Sequence, residues 1–252
     1  YQMVEQDLKQ GKTVLYSGTP CQIDGLKNFL GKDYENLYTA DIVCHGVGSQ
    51  AYFDKYMDYA RERYGKIKVL RFRSKEYAGW SCGGVVVVVD TSNCLKKIPY
   101  RDFDNYYYSY FLSGDIYRKS CYTCKYANTK RVGDFSLGDY WGVEALNLPL
   151  RTENGCSLLL VNTEQAEKLL ETVTDLDKVE TTIEQAAHCN KQLNEPSRLP
   201  GSRQKRIEEY ESMNGRQIQK VYLKTHRKTV VKGKLKALMP YKLKLLIRSK
   251  RT

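Results

Sequence analysis

Apolar positions in the first third of the chain follow two alternating periods. Met3, Val4 and Leu8 fall on one face of a helix over Tyr1–Lys9, and Gly11 turns it into an apolar run, Thr13–Tyr16, that predicts a strand. Pro20 is suited to the first turn of a helix running to Leu30, which Gly31 ends. A second strand is expected over Leu37–Val43. Ser49 is placed to cap a long helix, Gln50–Tyr64, with Tyr52, Phe53, Tyr56, Met57 and Ala60 on one side and Gly65 as its stop. Strands alternating with helices predict βαβ units and a parallel sheet.

The pattern then changes. Lys66–Phe72, Gly84–Asp90 and Cys94–Tyr100 read as strands, the last two joined through Thr91-Ser92-Asn93 as a hairpin. Phe103–Leu112 reads as a helix, Asp134–Leu137 and Ser157–Val161 as returning strands, and Glu164–Val173 as an amphipathic helix. Beyond Thr181 the chain is helical and polar, with Asn194–Gly201 as a linker. The expectation is an α/β fold with an inserted α+β lobe: a mixed sheet with helices on its faces, plus a helical C-terminal extension. Residues 1–180 would form the main domain and 181–252 the extension. No internal repeat is visible. The sequence opens at Tyr1, without a Met and inside the first helix, so an upstream region is expected.

Composition narrows the class. A chain of 252 residues has room for one large domain or a domain plus an appendage. Eight cysteines are too few for a disulfide scaffold in a chain of this size. No signal-peptide pattern opens it, and no apolar run approaches the roughly 20 residues of a membrane span. Reduced thiols in the cytoplasm are expected, which favours metal or redox roles for clustered cysteines. The net charge of +12 would suggest nucleic acid, but from Arg216 onward there are 13 Lys or Arg and no Asp or Glu. Subtracting those 13 from +12 leaves −1 for residues 1–215, so the basicity belongs to the tail. The 21 tyrosines, dense over Tyr100–Tyr117, read as packing surface rather than a platform for bases.

The chemistry concentrates on cysteine. Cys121 and Cys124 form a Cys-x-x-Cys pair, a spacing shared by zinc knuckles, redox disulfides and iron–sulfur ligands. Cys21 and Cys44 each close a predicted strand, so parallel pairing would bring both thiols to one carboxyl edge, where open α/β sheets bind ligands. The two lone cysteines are separated by 22 residues, and Cys44 lies 76 residues before the pair. That scatter fits a metal held by a preformed fold better than a zinc finger built from two knuckles. Cys21 also sits near a helix N-terminus, which stabilises a thiolate. The alternative is a nucleophile, which needs a positioned base, and His45 is the sole plausible one. Cys82, Cys94, Cys156 and Cys189 lack partner spacing and are expected to be inert and buried.

Five motifs occur in order: Gly18-Thr19-Pro20-Cys21-Gln22, Cys44-His45-Gly46, Phe72-Arg73-Ser74-Lys75 with Gly79-Trp80, Cys121-x-x-Cys124, and Gly138-Asp139-Tyr140-Trp141-Gly142. Together, from about Val14 to Val161, they resemble the C-terminal domain of the coenzyme F420 hydrogenase/dehydrogenase beta subunit family. The resemblance implies an iron–sulfur flavoprotein, with FAD near a [4Fe–4S] cluster that Cys21, Cys44, Cys121 and Cys124 would ligate. It implies electron transfer between a ferredoxin-type carrier, or an N-terminal ferredoxin region, and a small organic or deazaflavin-like substrate. No Gly-x-Gly-x-x-Gly fingerprint is present, so other loops would hold a flavin. Ser17, Gly18, Thr19 and Gln22 would offer donors, Arg73 and Lys75 would neutralise its phosphates, and Trp80 would stack, with Asp139 and Trp141 adjoining. His45 would relay protons or hydrogen-bond a backbone carbonyl. The family's Arg-Asp-Lys reads Arg73-Ser74-Lys75 here, which weakens the case for F420 itself. The competing reading is a non-catalytic, zinc-stabilised adaptor docking through its tail.

That tail, Lys232–Arg251, mixes Leu235, Leu238, Met239, Leu243, Leu245, Leu246 and Ile247 with eight Lys or Arg. It is expected to pack its leucine face on the body, with a peripheral membrane contact or an acidic partner as alternatives, and no nucleic-acid role.

Overall fold

The structure, a computed structural model, describes residues 1–78, 83–89, 92–146, 148–150, 152 and 155–238. Trp80, Cys82, Asp90, Thr91 and the tail from Met239 lie outside the described residues. In chain order the elements are α1 (Gln2–Lys9), β1 (Val14–Gly18), α2 (Pro20–Leu30), β2 (Leu37–Ile42) and α3 (Gln50–Tyr64). Then come β3 (Ile67–Arg71), α4 (Lys75–Ala78), β4 (Gly83–Val89), β5 (Leu95–Arg101), α5 (Tyr106–Leu112), β6 (Phe135–Asp139) and β7 (Ser157–Val161). The helices α6 (Glu164–Glu171), α7 (Ile183–Cys189), α8 (Arg203–Ser212), α9 (Gly215–Thr225) and α10 (Arg227–Leu238) follow.

The chain folds as two compact units. The first comprises Tyr1–His45 and Ser120–Ser197, and the second comprises Gly46–Lys119 with the residues from Arg198 onward. The inserted lobe is therefore present, and it groups with the C-terminal helices rather than with the segments around it in sequence. These units divide the chain differently from a 1–180 and 181–252 split.

In the first unit the sheet order is β1-β2-β6-β7. β1, β2 and β6 run parallel, and β7 returns antiparallel to β6. Leu8 of α1 and Leu26 and Leu30 of α2 bury against Leu37 of β2, with Val14 and Tyr16 alongside. Leu15, Ile42, Leu137 and Leu159, which share the opposite face by register, are exposed. β6 spans Phe135–Asp139 rather than Asp134–Leu137, with the Asp134 amide donating to the Thr39 hydroxyl at 3.0 Å and the Asp134 carboxylate accepting from the Thr39 amide at 2.7 Å and hydroxyl at 2.6 Å.

The second unit holds the antiparallel sheet β3-β4-β5. Gly84 is dictated by close approach, since a Cβ there would lie 2.1 Å from the Arg71 carbonyl and 2.5 Å from the Tyr100 ring. The predicted helix over Phe103–Leu112 is broken at Asn105. That residue is extended, and its side chain accepts from the Tyr108 amide at 3.0 Å, so it starts α5 afresh. Ser49 precedes α3 but makes no side-chain cap bond.

The tyrosine-dense stretch is core. Tyr52, Tyr56 and Tyr59 of α3 bury with Tyr106, Tyr107 and Tyr110 of α5 and with Ile218 and Tyr222 of α9. Tyr56 and Tyr107 stack with centroids 5.0 Å apart. A buried phenol needs a partner: the Asn105 amide donates to Tyr56 at 2.7 Å, and the Tyr222 hydroxyl donates to the Phe103 carbonyl at 3.0 Å.

Of the tail Lys232–Arg251, only the residues up to Leu238 are described. Leu235 and Leu238 of α10 are exposed, at 60% and 83%. The helix seats its other side, where Val230 is buried and Gly233 lies against the Phe103 ring.

Burial raises the pKa of Tyr107 to about 12 and pushes those of Tyr52, Tyr56, Tyr100, Tyr106 and Tyr110 up as well. An unfolded tyrosine ionises near pH ~10. Above that pH the unfolded chain binds fewer protons than the fold, so the stability these tyrosines confer is full below about pH 10 and is lost as pH rises further. The urea midpoint is expected to fall between about pH 9 and about pH 11, while native tyrosinate absorbance stays well short of the value after unfolding. Ionisation of all 21 tyrosines together in the native protein would refute this.

Candidate metal centre at the sheet edge

The parallel register puts Gly18 of β1 beside Asp41 of β2. Cys21 and Cys44 each lie three residues beyond this pair, so both follow strands that end at the same carboxyl edge. Cys21 is the second residue of α2 and is exposed, with the Thr19 hydroxyl 3.1 Å from its sulfur. The Thr19 amide donates to Gln22 Oε1 at 2.9 Å and its hydroxyl to the same atom at 3.0 Å. Thr19 and Gln22 therefore close the N-terminus of α2 on each other, while Ser17 is exposed and Gly18 half-buried.

The second pair of cysteines arrives on a tight 3-10 turn, Lys119–Thr123, with Cys121 and Cys124 both half-buried. Two tethers hold the segment that follows. The Tyr126 hydroxyl donates to Asp24, and Lys125 reaches the same carboxylate at 3.5 Å. The Tyr126 bond, with the Lys125 charge in support, holds the Asp24 carboxyl below the usual carboxylate range. Asp24 stands three residues beyond Cys21, on the same face of α2. The second tether is Arg131, whose Nη2 meets Asp41 Oδ1 at 2.5 Å and the Ile42 carbonyl at 3.1 Å. Its Nη1 donates to the Tyr126 carbonyl at 2.9 Å and the Asn128 carbonyl at 3.2 Å, and its Nε to Ser136 at 3.1 Å. The Arg131–Asp41 side chains are 1% and 0% exposed. The loop after Cys124 is thus fastened both to the first turns of α2 and to the end of β2, two residues before Cys44.

β6 delivers Asp139 and Trp141 to the same edge, since it runs parallel to β2. Trp141 is exposed and follows a tight turn in which its amide donates to the Asp139 carbonyl at 3.0 Å. Gly142 has φ of +80° and lies against Cys189, whose sulfur would be 2.4 Å from a Cβ there. The Cys156 carbonyl accepts from the Tyr140 amide at 2.9 Å. Cys189 and Cys94 are exposed and Cys156 is half-buried, contrary to the expectation of burial. Cys94 immediately precedes β5, and Cys189 is the last residue of α7.

His45 is half-buried, and burial lowers its pKa, which keeps the ring neutral at neutral pH. Its backbone carbonyl accepts from Ser197 at 2.5 Å. Ser17, Gly18, Thr19, Gln22, His45, Asp139, Trp141 and the four singled-out cysteines all belong to the first unit. Arg73 and Lys75 belong to the second, exposed where β3 leads into α4. Among the described residues no three His, Cys, Asp or Glu side chains already converge as a metal cage. None of the seven described cysteines is disulfide-bonded.

Sequence reasoning missed Asp24, Tyr126, Arg131 and Asp41. Asp41 carried a signal, because a carboxylate inside an apolar strand needs a partner when buried. Nothing in the sequence pointed to Arg131, 90 residues away.

What these elements define is an α/β domain that presents cysteines at the carboxyl edge of its parallel strands. Residues 11–186 match the family model for the C terminus of the coenzyme F420 hydrogenase/dehydrogenase beta subunit, and the chain belongs to that family. Membership gives it a redox role of the beta-subunit kind, in a family where iron–sulfur clusters are common. No curated protein and no solved structure matches the chain.

Replacing Arg131 with Met leaves Asp41 buried and unpaired, and is expected to cost about 3–5 kcal/mol in urea unfolding. The double variant Arg131→Met/Asp41→Leu should recover much of that loss. A single-variant cost under about 1 kcal/mol would show that the pair does not hold the loop.

Proposed function

We propose that the chain is an iron–sulfur flavoprotein oxidoreductase domain in which Cys21, Cys44, Cys121 and Cys124 ligate one [4Fe–4S] cluster, with FAD bound alongside. The observation that carries this reading is the tethering of the Cys121–Cys124 segment, through Asp24 and Arg131, to the two strand ends from which Cys21 and Cys44 follow. Four thiols are the usual donor set of a cubane cluster. Reduced thiols fit a cytoplasmic location, and no described helix is long and apolar enough to cross a membrane.

When bound, the cluster would supply one-electron transfer, and the flavin would convert single electrons to the pairs an organic substrate takes. The remaining roles fall to the chain's own residues. The N-terminus of α2 presents amides and a positive dipole end beside Cys21, which favours anionic ligands. The Ser17–Gly18 backbone, Asp139 and Trp141 border the same edge and are assigned to the flavin. Thr19 and Gln22 would contribute by shaping the turn, since their side chains are engaged with each other. Arg73 and Lys75 are assigned to phosphate neutralisation, and Trp80 to stacking, on the family motif. His45, held neutral by burial, can accept a proton. The electron donor would be a ferredoxin-type carrier or ferredoxin region, and the acceptor a small organic or deazaflavin-like molecule.

Anaerobically purified protein is expected to contain about four iron and four sulfide per chain, together with flavin. Cys124→Ser should abolish the cluster absorbance, whereas Cys94→Ser should leave it intact. A colourless protein with one zinc and no flavin would overturn the proposal in favour of a zinc-stabilised adaptor.

A further inference from the structure

From Arg216 to Lys236 a basic residue recurs at every fourth position: Arg216, Lys220, Lys224, Lys228, Lys232 and Lys236. No Asp or Glu occurs anywhere in that stretch. In α10 this spacing has a geometric consequence. At 100° per residue Lys228, Lys232 and Lys236 form one stripe along the helix, and Val231, Leu235 and Leu238 form a second stripe beside it. All six residues are exposed, while Val230 and Gly233 on the far side seat the helix against its own unit. Lys234 carries a charge felt by Asp104 and is left out of the set.

We propose that α10 is a peripheral docking helix for an anionic lipid surface. An aliphatic stripe flanked by lysines is the arrangement that sinks apolar side chains to the acyl boundary while ammonium groups remain among headgroup phosphates. The choice of lysine supports a diffuse anionic surface, because an ammonium is a point charge on a flexible stem. Fixed phosphate geometry, as in a nucleic-acid backbone, favours the bidentate fork of arginine, and an RNA partner would leave the leucines without a role. Charge complementarity and the uncovered leucines thus point to the same occupant. The inference is independent of the proposed cofactors, since none of the six residues is among those proposed for the cluster or the flavin.

The test is flotation of the full chain with vesicles of phosphatidylcholine alone, or of phosphatidylcholine with phosphatidylglycerol. Binding is expected only with the anionic lipid and should weaken steeply with salt. Lys228→Gln/Lys232→Gln/Lys236→Gln should reduce partitioning roughly 100-fold, at about fivefold per lysine. Leu235→Gln/Leu238→Gln should reduce it as well, with unchanged circular dichroism and melting because both positions are exposed. Equal binding to neutral vesicles would overturn the proposal. So would anionic binding that ignores the leucine substitutions, or an absence of binding to the anionic vesicles, with or without retained RNA.

Discussion

One buried guanidinium organises the cysteine-bearing unit. Arg131 has five N–H donors, and five acceptors surround it: Asp41, Ser136 and the carbonyls of Tyr126, Asn128 and Ile42. Removing a charge from water is costly unless every donor is used, and here every donor is. The planar fork fixes the direction of each bond, so a lysine could supply the charge but not the geometry. Because two of the carbonyls belong to the loop after Cys124 and one to the end of β2, satisfying the arginine also dictates where that loop lies. Asp41 is equally committed, with its second oxygen accepting from the Gly133 amide at 2.9 Å.

The other unit meets the same requirement with tyrosine in place of arginine. Its aromatic core brings a hydroxyl with nearly every ring, and several are answered in the interior, while those of Tyr52 and Tyr106 are buried without a hydrogen-bond partner. Tyr110 illustrates the cost. Its hydroxyl receives from Arg206 at 2.7 Å, and Arg206 in turn pairs with the buried Glu209 at 2.6 Å. A phenylalanine core would need none of this, but it would also specify fewer unique contacts. The hydroxyls make the packing of α3, α5, α8 and α9 directional.

Local patterns were legible wherever a single interaction decides the outcome. Pro20 and Gly31 bound α2, and apolar spacing bounds α3 at Gln50 and Tyr64, as the sequence suggested. Strand ends drifted by a residue or two because hydrogen-bond partners on other strands set them. Asn105 was misread because its capping role competes with helix continuation, and composition alone does not decide between the two. The edge positions of Cys21 and Cys44 followed from strand order and direction. The exposure of Cys94 and Cys189 did not, since burial depends on what surrounds a turn or a helix end. Arg131 was illegible for a different reason: its partner is distant in sequence, and the surrounding Lys125–Arg131 stretch looks like an ordinary solvated basic loop.

The insertion of one unit into the other has a consequence in time. Cys44 and Cys121 are separated by 76 residues. A ribosome adds roughly 5–20 residues per second, so the first two thiols exist for about 4–15 s before the second two are synthesised. During that interval β2 has no β6 beside it, and Asp41 has no Arg131. The early half of the edge waits while Gly46–Lys119, the inserted part of the second unit, is made. Under the proposed ligation, a cluster would therefore meet all four thiols only after residues 46–119 have been translated.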